Sequence, residues 1–298
     1  MGKMIIQDDA VTLGEVIGYL IKKKWQILSV TILFVAIGVA YALSKPNIYQ
    51  AQVILSPASS SGDLGGGASS QLGGLAALAG VNLGGASNDK SVLYLEIFQS
   101  RKFLTAFIDK HSLQKDLFAA EGYDLLNESI TYDEDKVARL KSDSEHPITV
   151  NYIFEKFIDN NFIIEVNKKT GLITLSIRHF SPIFAKKVTE LIVKDINYAI
   201  RTEEIADAIK SINYLEKALG QTNVLETKKM FYQLIEQQHR TKMLATVKEE
   251  YAFKVIDPAI VPERKFSPNR ALIVVVSGLI GGIFICMVVI VSALRNKN

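Results

Sequence analysis

The sequence predicts an α+β membrane protein: two transmembrane helices flank a water-exposed body of short strands and long helices. Three observations predict it. Residues 25–43 and 271–294 are uncharged apolar runs of 19 and 24 residues, long enough at about 1.5 Å per residue to cross a hydrocarbon core of about 30 Å. Residues 182–219 carry helical periodicity with no glycine or proline after Pro182. The charge is also partitioned: residues 44–270 hold 28 Lys and Arg against 28 Asp and Glu, so the net charge of +3 belongs to the two ends, +1 before residue 44 and +2 after residue 270. A neutral body with no basic stripe excludes a phosphate-backbone binder, whose affinity comes from Lys and Arg, and no nucleic-acid partner is expected. Hydrophobic residues make up 48% of the chain, near the ceiling for a soluble protein, as expected of membrane segments added to one body domain of about 200 residues.

In chain order, residues 1–24 form a cytoplasmic lead. Its TLGE stretch at Thr12–Glu15 has capping-box form and is followed by Val16, Ile17, Leu20 and Ile21, which predicts a short amphipathic helix on the membrane surface. Lys22, Lys23 and Lys24 precede the first span and Arg295 and Lys297 follow the second, so the positive-inside rule puts both termini in the cytoplasm and residues 44–270 on the other side. Ala40-Tyr41-Ala42 has the form of a signal-peptide cleavage site. The apolar run before it is longer than a signal h-region and is preceded by an acid-containing lead, so an uncleaved anchor is expected. In the second span Ser277, Gly278, Gly281 and Gly282 form small-xxx-small pairs, candidates for close helix packing in the membrane.

Outside the membrane, residues 48–56 alternate as a strand. Residues 58–88 are a glycine-rich loop with nine of the chain's 19 glycines. It is not a phosphate cradle, because Gly85 is followed by Ala86 and Ser87 instead of the Lys and Ser or Thr of a P-loop. Residues 91–111 place Leu93, Ile97, Phe98, Leu104, Phe107 and Ile108 at helical recurrence, one or two helices packed on a sheet. A polar helical or irregular stretch is expected from there through Pro147. Residues 162–166 and 172–177 then read as two strands of a hairpin turned at Gly171, and Ser181-Pro182 opens a helix. That helix, residues 182–219, should reach roughly 57 Å, more than a small domain can cover. Gly220 is expected to break it, with a second helix over 224–251 and a last base strand over 253–257. The apolar points of this helical arm, among them Ile200, Ile212, Leu225 and Leu244, either meet neighbouring chains or fold back as an antiparallel hairpin within one chain.

Catalytic chemistry finds no support. His111, His146, His179 and His239 have no H-x-x-x-H spacing, and all four read as surface or turn residues instead of metal ligands. Cys286 is the single cysteine and lies inside the second span, leaving no disulfide, thiolate metal site or thiol nucleophile. There is no G-x-S-x-G elbow, and Asp133, Glu134 and Asp135 read as a solvated charged segment. No catalytic, cofactor-binding or metal residue is expected, no cofactor, and no enzyme.

The approach to the second span, residues 258–270, is proline-rich: Pro258, Pro262 and Pro268, then Arg270. Prolines fix φ and remove donors, giving a stiff extended entry to the membrane helix. Here the chain resembles the Wzz-type polysaccharide co-polymerases, the O-antigen and exopolysaccharide chain-length determinants of bacteria. The shared pattern is A-x-V-P-E at residues 259–263, a further proline, Arg270 and the second span, with FQSRKFL at 98–104 and KMLATVKEEYAF at 242–253 also matching. Lys265 stands where family members often carry a proline. The appended kinase module of some relatives is not expected, since only residues 295–298 follow the second span.

The resemblance implies a homo-oligomer, ring-like, in the bacterial inner membrane, with a periplasmic α/β base near the bilayer and a long helical arm. It further implies work with a Wzy-type polymerase on lipid-linked polysaccharide of lipopolysaccharide or exopolysaccharide biosynthesis, as a non-catalytic regulator of chain length. Two rivals remain at this level. One is a membrane adaptor that activates a separate tyrosine kinase in polysaccharide export; the other is a periplasmic ligand sensor, for which the short cytoplasmic ends leave little room for an output module.

Overall fold

A computed structural model of the chain describes residues 22–58, 86–140 and 148–295. The lead's capping box, the glycine-rich stretch before residue 86 and His146 lie outside the described residues. The chain divides into two compact units, Met1–Asn47 with Phe266–Asn298, and Ile48–Lys265.

The first unit is a pair of apolar helices, α1 (Lys24–Ser44) and α9 (Arg270–Arg295). Asn269 caps α9, its side-chain oxygen accepting from Leu272 N–H at 3.3 Å. The helices pack along each other, yet most of each apolar surface stays open: Leu28, Ile32, Leu33 and Ile37 on α1, and Leu272, Val275, Leu279 and Ile283 on α9, are all exposed. A water-soluble protein rarely leaves contiguous apolar surface of this extent uncovered, whereas lipid tails cover it at no cost.

The second unit is built on a four-stranded antiparallel sheet in the order β4-β5-β1-β6, with β1 Tyr49–Pro57, β4 Phe162–Val166, β5 Ile173–His179 and β6 Phe253–Asp257. Register follows the period-2 pattern. Tyr49, Ala51, Val53 and Leu55 lie opposite His179, Ile177, Leu175 and Ile173, and all eight are buried. The β4–β5 turn forms around Asn167, whose side chain accepts from Lys169 and Thr170 N–H while Gly171 takes φ +71°.

Helices α2 (Ala86–Gln99), α3 (Arg101–Lys110) and α6 (Val150–Asn160) and the N-terminal half of α7 (Pro182–Gln221) complete the core. Residues 86–88, expected in the loop, open α2 instead. Ser100 divides α2 from α3 by accepting from Phe103 N–H at 3.2 Å, so residues 91–111 make two helices. Just before the cap, fully buried Phe98 packs its ring on Phe103, Phe162 and Phe253, joining α2 and α3 to both edge strands.

Between α3 and α6 the structure departs from expectation. After the short α4 (Gln114–Phe118), residues Ala120–Asp124 (β2) and Ser129–Tyr132 (β3) form a hairpin, followed by α5 (Glu134–Arg139). The Asp124 carboxylate makes the turn, accepting from Leu126 N–H at 2.9 Å and the Asn127 amide at 2.6 Å, and the backbone donor of Leu126 holds its pKa below the usual carboxylate range.

Helix α7 starts at the Ser181 cap, which accepts from Phe184 N–H, with Pro182 in its first turn. Its 40 residues span about 60 Å. Positions from Phe184 to Ile200 pack on the sheet, while Ala208 and Ile212 are buried further along, where α8 (Leu225–Val247) folds back within the chain and buries Ala245. Two boundaries are corrected. Gly220 does not end α7, because a glycine near a helix terminus costs only about 1 kcal/mol; the backbone turns extended at Thr222. The second arm helix ends at Val247 instead of 251: the backbone turns extended at Lys248, and Asn197 then accepts from Ala252 and Phe253 N–H.

Candidate functional site

The residues singled out at the membrane entry are divided between the units. Pro258 and Pro262 belong to the sheet unit and Pro268 and Arg270 to the helix pair. Arg270 ties the pair together where α1 ends and α9 begins: Nε donates to the Ala42 carbonyl at 3.1 Å and an Nη to the Asn47 side chain at 3.2 Å. A cation on the terminal carbonyls of α1 also complements that helix's dipole.

The small residues of α9 have separate roles. A Cβ on Gly38 of α1 would overlap the Ser277 side chain, and one on Gly281 would lie 2.5 Å from Phe34 Cβ, so these are the contacts at which the helices touch. Gly278 is looser, its added Cβ 3.1 Å from Val35, and Gly282 leaves 3.9 Å to Thr31. Phe34 also meets Phe284 with ring centroids 5.9 Å apart. Beside this seam an open apolar groove of about 530 Å³ runs along α9, lined by Gly278, Leu279, Gly282, Ile283, Cys286 and Met287.

In the sheet unit four polar groups on or beside α7 organise the junction of base and arm. Asn197 is buried and uses both ends of its amide: Oδ1 accepts from Ala252 and Phe253 N–H at 2.8 and 2.9 Å, and Nδ2 donates to the Phe253 and Val193 carbonyls. Asp195 accepts from Lys110 and His111, each at 2.8 Å, fixing the end of α3 to α7. Glu204 accepts from the Tyr94 hydroxyl at 2.8 Å and pairs with Lys90 at 3.1 Å. Burial and the Glu204 charge raise the Tyr94 phenol pKa, and they push Tyr251 up to about 12. Next to Asn197 a groove of about 380 Å³ is lined by Val193, Val255 and Pro258, with Glu190, Glu249 and Glu250 also contributing.

His179 is the fourth group and corrects an expectation. It is a core residue, not a surface or turn residue. Nδ1 accepts the Ser181 N–H at 3.0 Å, so Nε2 carries the proton and donates to the Asp116 carbonyl at 2.9 Å; the ring lies tilted at 44° against Phe184, centroids 4.3 Å apart. Burial holds its pKa below the usual 6.5. Beside it, Tyr132 donates to Asp116 at 2.6 Å, and burial with that bond pushes its phenol up to about 12.

The folded state therefore keeps His179 neutral, while the unfolded chain takes up a proton near pH 6.5. Its contribution to stability is complete above pH 6.5 and is lost as pH falls below that value, at up to about 1.4 kcal/mol per pH unit. Thermal midpoints of the full-length protein recorded from about pH 7.5 to pH 5 should fall with this slope, and His179→Gln should flatten it. An unchanged slope in the variant would assign the acid sensitivity elsewhere.

Among the described residues no catalytic constellation is assembled, and no group of three or more His, Cys, Asp or Glu could hold a metal ion. His239 is exposed on α8, and Asp133 caps α5 through Asp135 and Lys136 N–H. Asp195, Asn197 and Glu204 were missed by periodicity reading. Their signal is polar residues interleaved with the stripe of Ile192, Ile196 and Ile200, where a helix lying on a sheet should carry apolar groups.

Residues 9–111 match the family model described as Wzz, chain length determinant protein. No curated protein sequence matches the chain. A solved structure titled full-length bacterial polysaccharide co-polymerase aligns with a TM-score of 0.44 and 13% identity over 96% of this chain and 99% of that one. A fragment of WzzB, a polysaccharide co-polymerase from Salmonella Typhimurium, aligns with a TM-score of 0.29 and 13% identity over 74% of this chain and all of that one. Residues 9–111, which contain α1, β1, α2 and α3, are similar to the Wzz chain length determinant family over about a third of the chain.

Proposed function

We propose that this chain is a non-catalytic regulator of surface-polysaccharide chain length, O-antigen or exopolysaccharide, acting as a homo-oligomeric ring with a Wzy-type polymerase on lipid-linked glycan. The observation that carries the reading is the family match over residues 9–111. Apolar helices at both ends of the described chain support it, each long enough to cross a bilayer. The surplus positive charge beyond them favours both termini cytoplasmic and residues 44–270 on the other side, which is the periplasm in the bacterial inner membrane that the family similarity implies.

In this reading the open groove on α9 accepts a helix of another copy or of the polymerase, because small residues let backbones approach closely in lipid. The arm made by α7 and α8 leaves Tyr214, Leu225, Tyr232 and Met243 exposed, apolar points available to neighbouring copies. The proline-rich approach to the second span, with Pro258, Pro262, Pro268 and Arg270, is the stretch at which the base hands over to the membrane helix. Copies in a ring would set how long the growing glycan stays engaged.

Deleting the gene and resolving the cell's lipid-linked and surface glycan on a gel tests the proposal. The modal length is expected to collapse to an unregulated distribution and to return when the full chain is supplied in trans. An unchanged length distribution overturns it.

A further inference from the structure

We propose that the segment leaving the sheet unit after β6, carrying Ile260 and Val261, lies in the interfacial layer of a phospholipid bilayer and anchors the unit there. The proposal rests on reading α9 as the membrane-crossing helix. Ala259, 4% exposed, is part of the core and pins the segment to the sheet. The next two residues turn outward, Ile260 at 72% and Val261 at 42% exposure, and Ile256 on β6 is open as well.

What covers them follows from the chain itself. Val261 is nine residues before Arg270, where α9 begins, so it cannot stray more than roughly 30 Å from the bilayer entry. The backbone suits a partly dehydrated layer, because Pro258 and Pro262 bracket the apolar pair and carry no N–H that would need a partner. Electrostatics do not select the lipid: Asp257 and Glu263 offset Arg264 and Lys265. Apolar insertion therefore carries the contact, and phospholipids of either headgroup charge serve.

The test uses the full-length chain in phosphatidylcholine vesicles, with and without phosphatidylglycerol. Trp25 is the single tryptophan, so Trp25→Phe provides a silent background for Ile260→Trp. Lys217→Trp, at an exposed position of α7, is the aqueous reference, and Ile280→Trp, an exposed position of α9 outside the groove, is the bilayer reference. Emission from Ile260→Trp is expected to be blue-shifted from the aqueous reference and lost to lipids brominated high on the acyl chains, equally in both vesicle types. Emission and iodide quenching equal to the aqueous reference overturn the proposal. A blue shift insensitive to brominated lipid also overturns it and assigns the segment to a protein contact, such as a second copy. Should Ile280→Trp itself escape bromine quenching, the membrane-crossing reading fails too, an outcome distinct from failure at Ile260 alone.

Discussion

Replacing Asn197 with leucine is expected to lower the stability of the sheet unit by roughly 3–5 kcal/mol. The side chains are similar in volume, so the loss does not come from a cavity. It comes from three backbone groups. Ala252 N–H, Phe253 N–H and the Phe253 carbonyl would remain in a core where Ala252 and Phe253 are buried, with their Asn197 partner gone. Each orphaned group costs about 1–3 kcal/mol, and the total is lowered by whatever relaxation lets water in. Thr189→Val is the matched control: the Thr189 hydroxyl donates to the Ala185 carbonyl within its own helix, so its removal orphans no other donor. Urea or thermal unfolding of the full-length protein in detergent reads both. A loss for Asn197→Leu no larger than that of the control would show that the start of β6 is held by Phe253 packing alone.

A comparable effect is expected in the helix pair, where leucine at Gly38 or Gly281 should separate α1 from α9. At both positions an added Cβ already meets a side-chain atom of the opposite helix at less than van der Waals distance, so a whole side chain forces the axes apart. Overpacking of about 1–3 kcal/mol shifts the ratio of paired to separated helices by roughly 5- to 150-fold. Thr31→Cys with Gly282→Cys in a Cys286→Ser background measures it, since a Gly282 Cβ would lie 3.9 Å from the Thr31 hydroxyl, within disulfide reach. Oxidative cross-linking in membranes should be efficient in that parent and largely lost when Gly38→Leu or Gly281→Leu is added. Gly278→Ala should cost little, because its added methyl meets only Val35 Cγ2 at 3.1 Å. Equal cross-linking in all of these variants would show that the helices do not meet along this seam.

Much of the fold was legible before any coordinates. The inward row of β1 alternates along the chain, and its partners on β5 do the same, because a half-buried strand must place apolar groups two residues apart. The length of α7 was legible from the absence of helix breakers after Pro182. The β2–β3 hairpin was not, since AEGYD and SITY carry little apolar alternation and their pairing depends on an Asp124 turn that resembles any polar loop. His179 was read by its average behaviour, and its burial depends on an acceptor at Asp116, 63 residues away in sequence.

Length, hydropathy and charge are additive properties of the chain, so the sequence by itself determined the two apolar helices, the neutral body between them and the long arm helix. Tertiary structure alone decided which polar residues are buried and which glycines make contact. Asn197 meets Ala252 from 55 residues away, and Gly38 meets Ser277 across most of the chain. A buried amide is stable only when distant backbone groups arrive to satisfy it, and a glycine is required only where another helix comes too close for a side chain. Both conditions are set by packing, which residue order constrains but does not display.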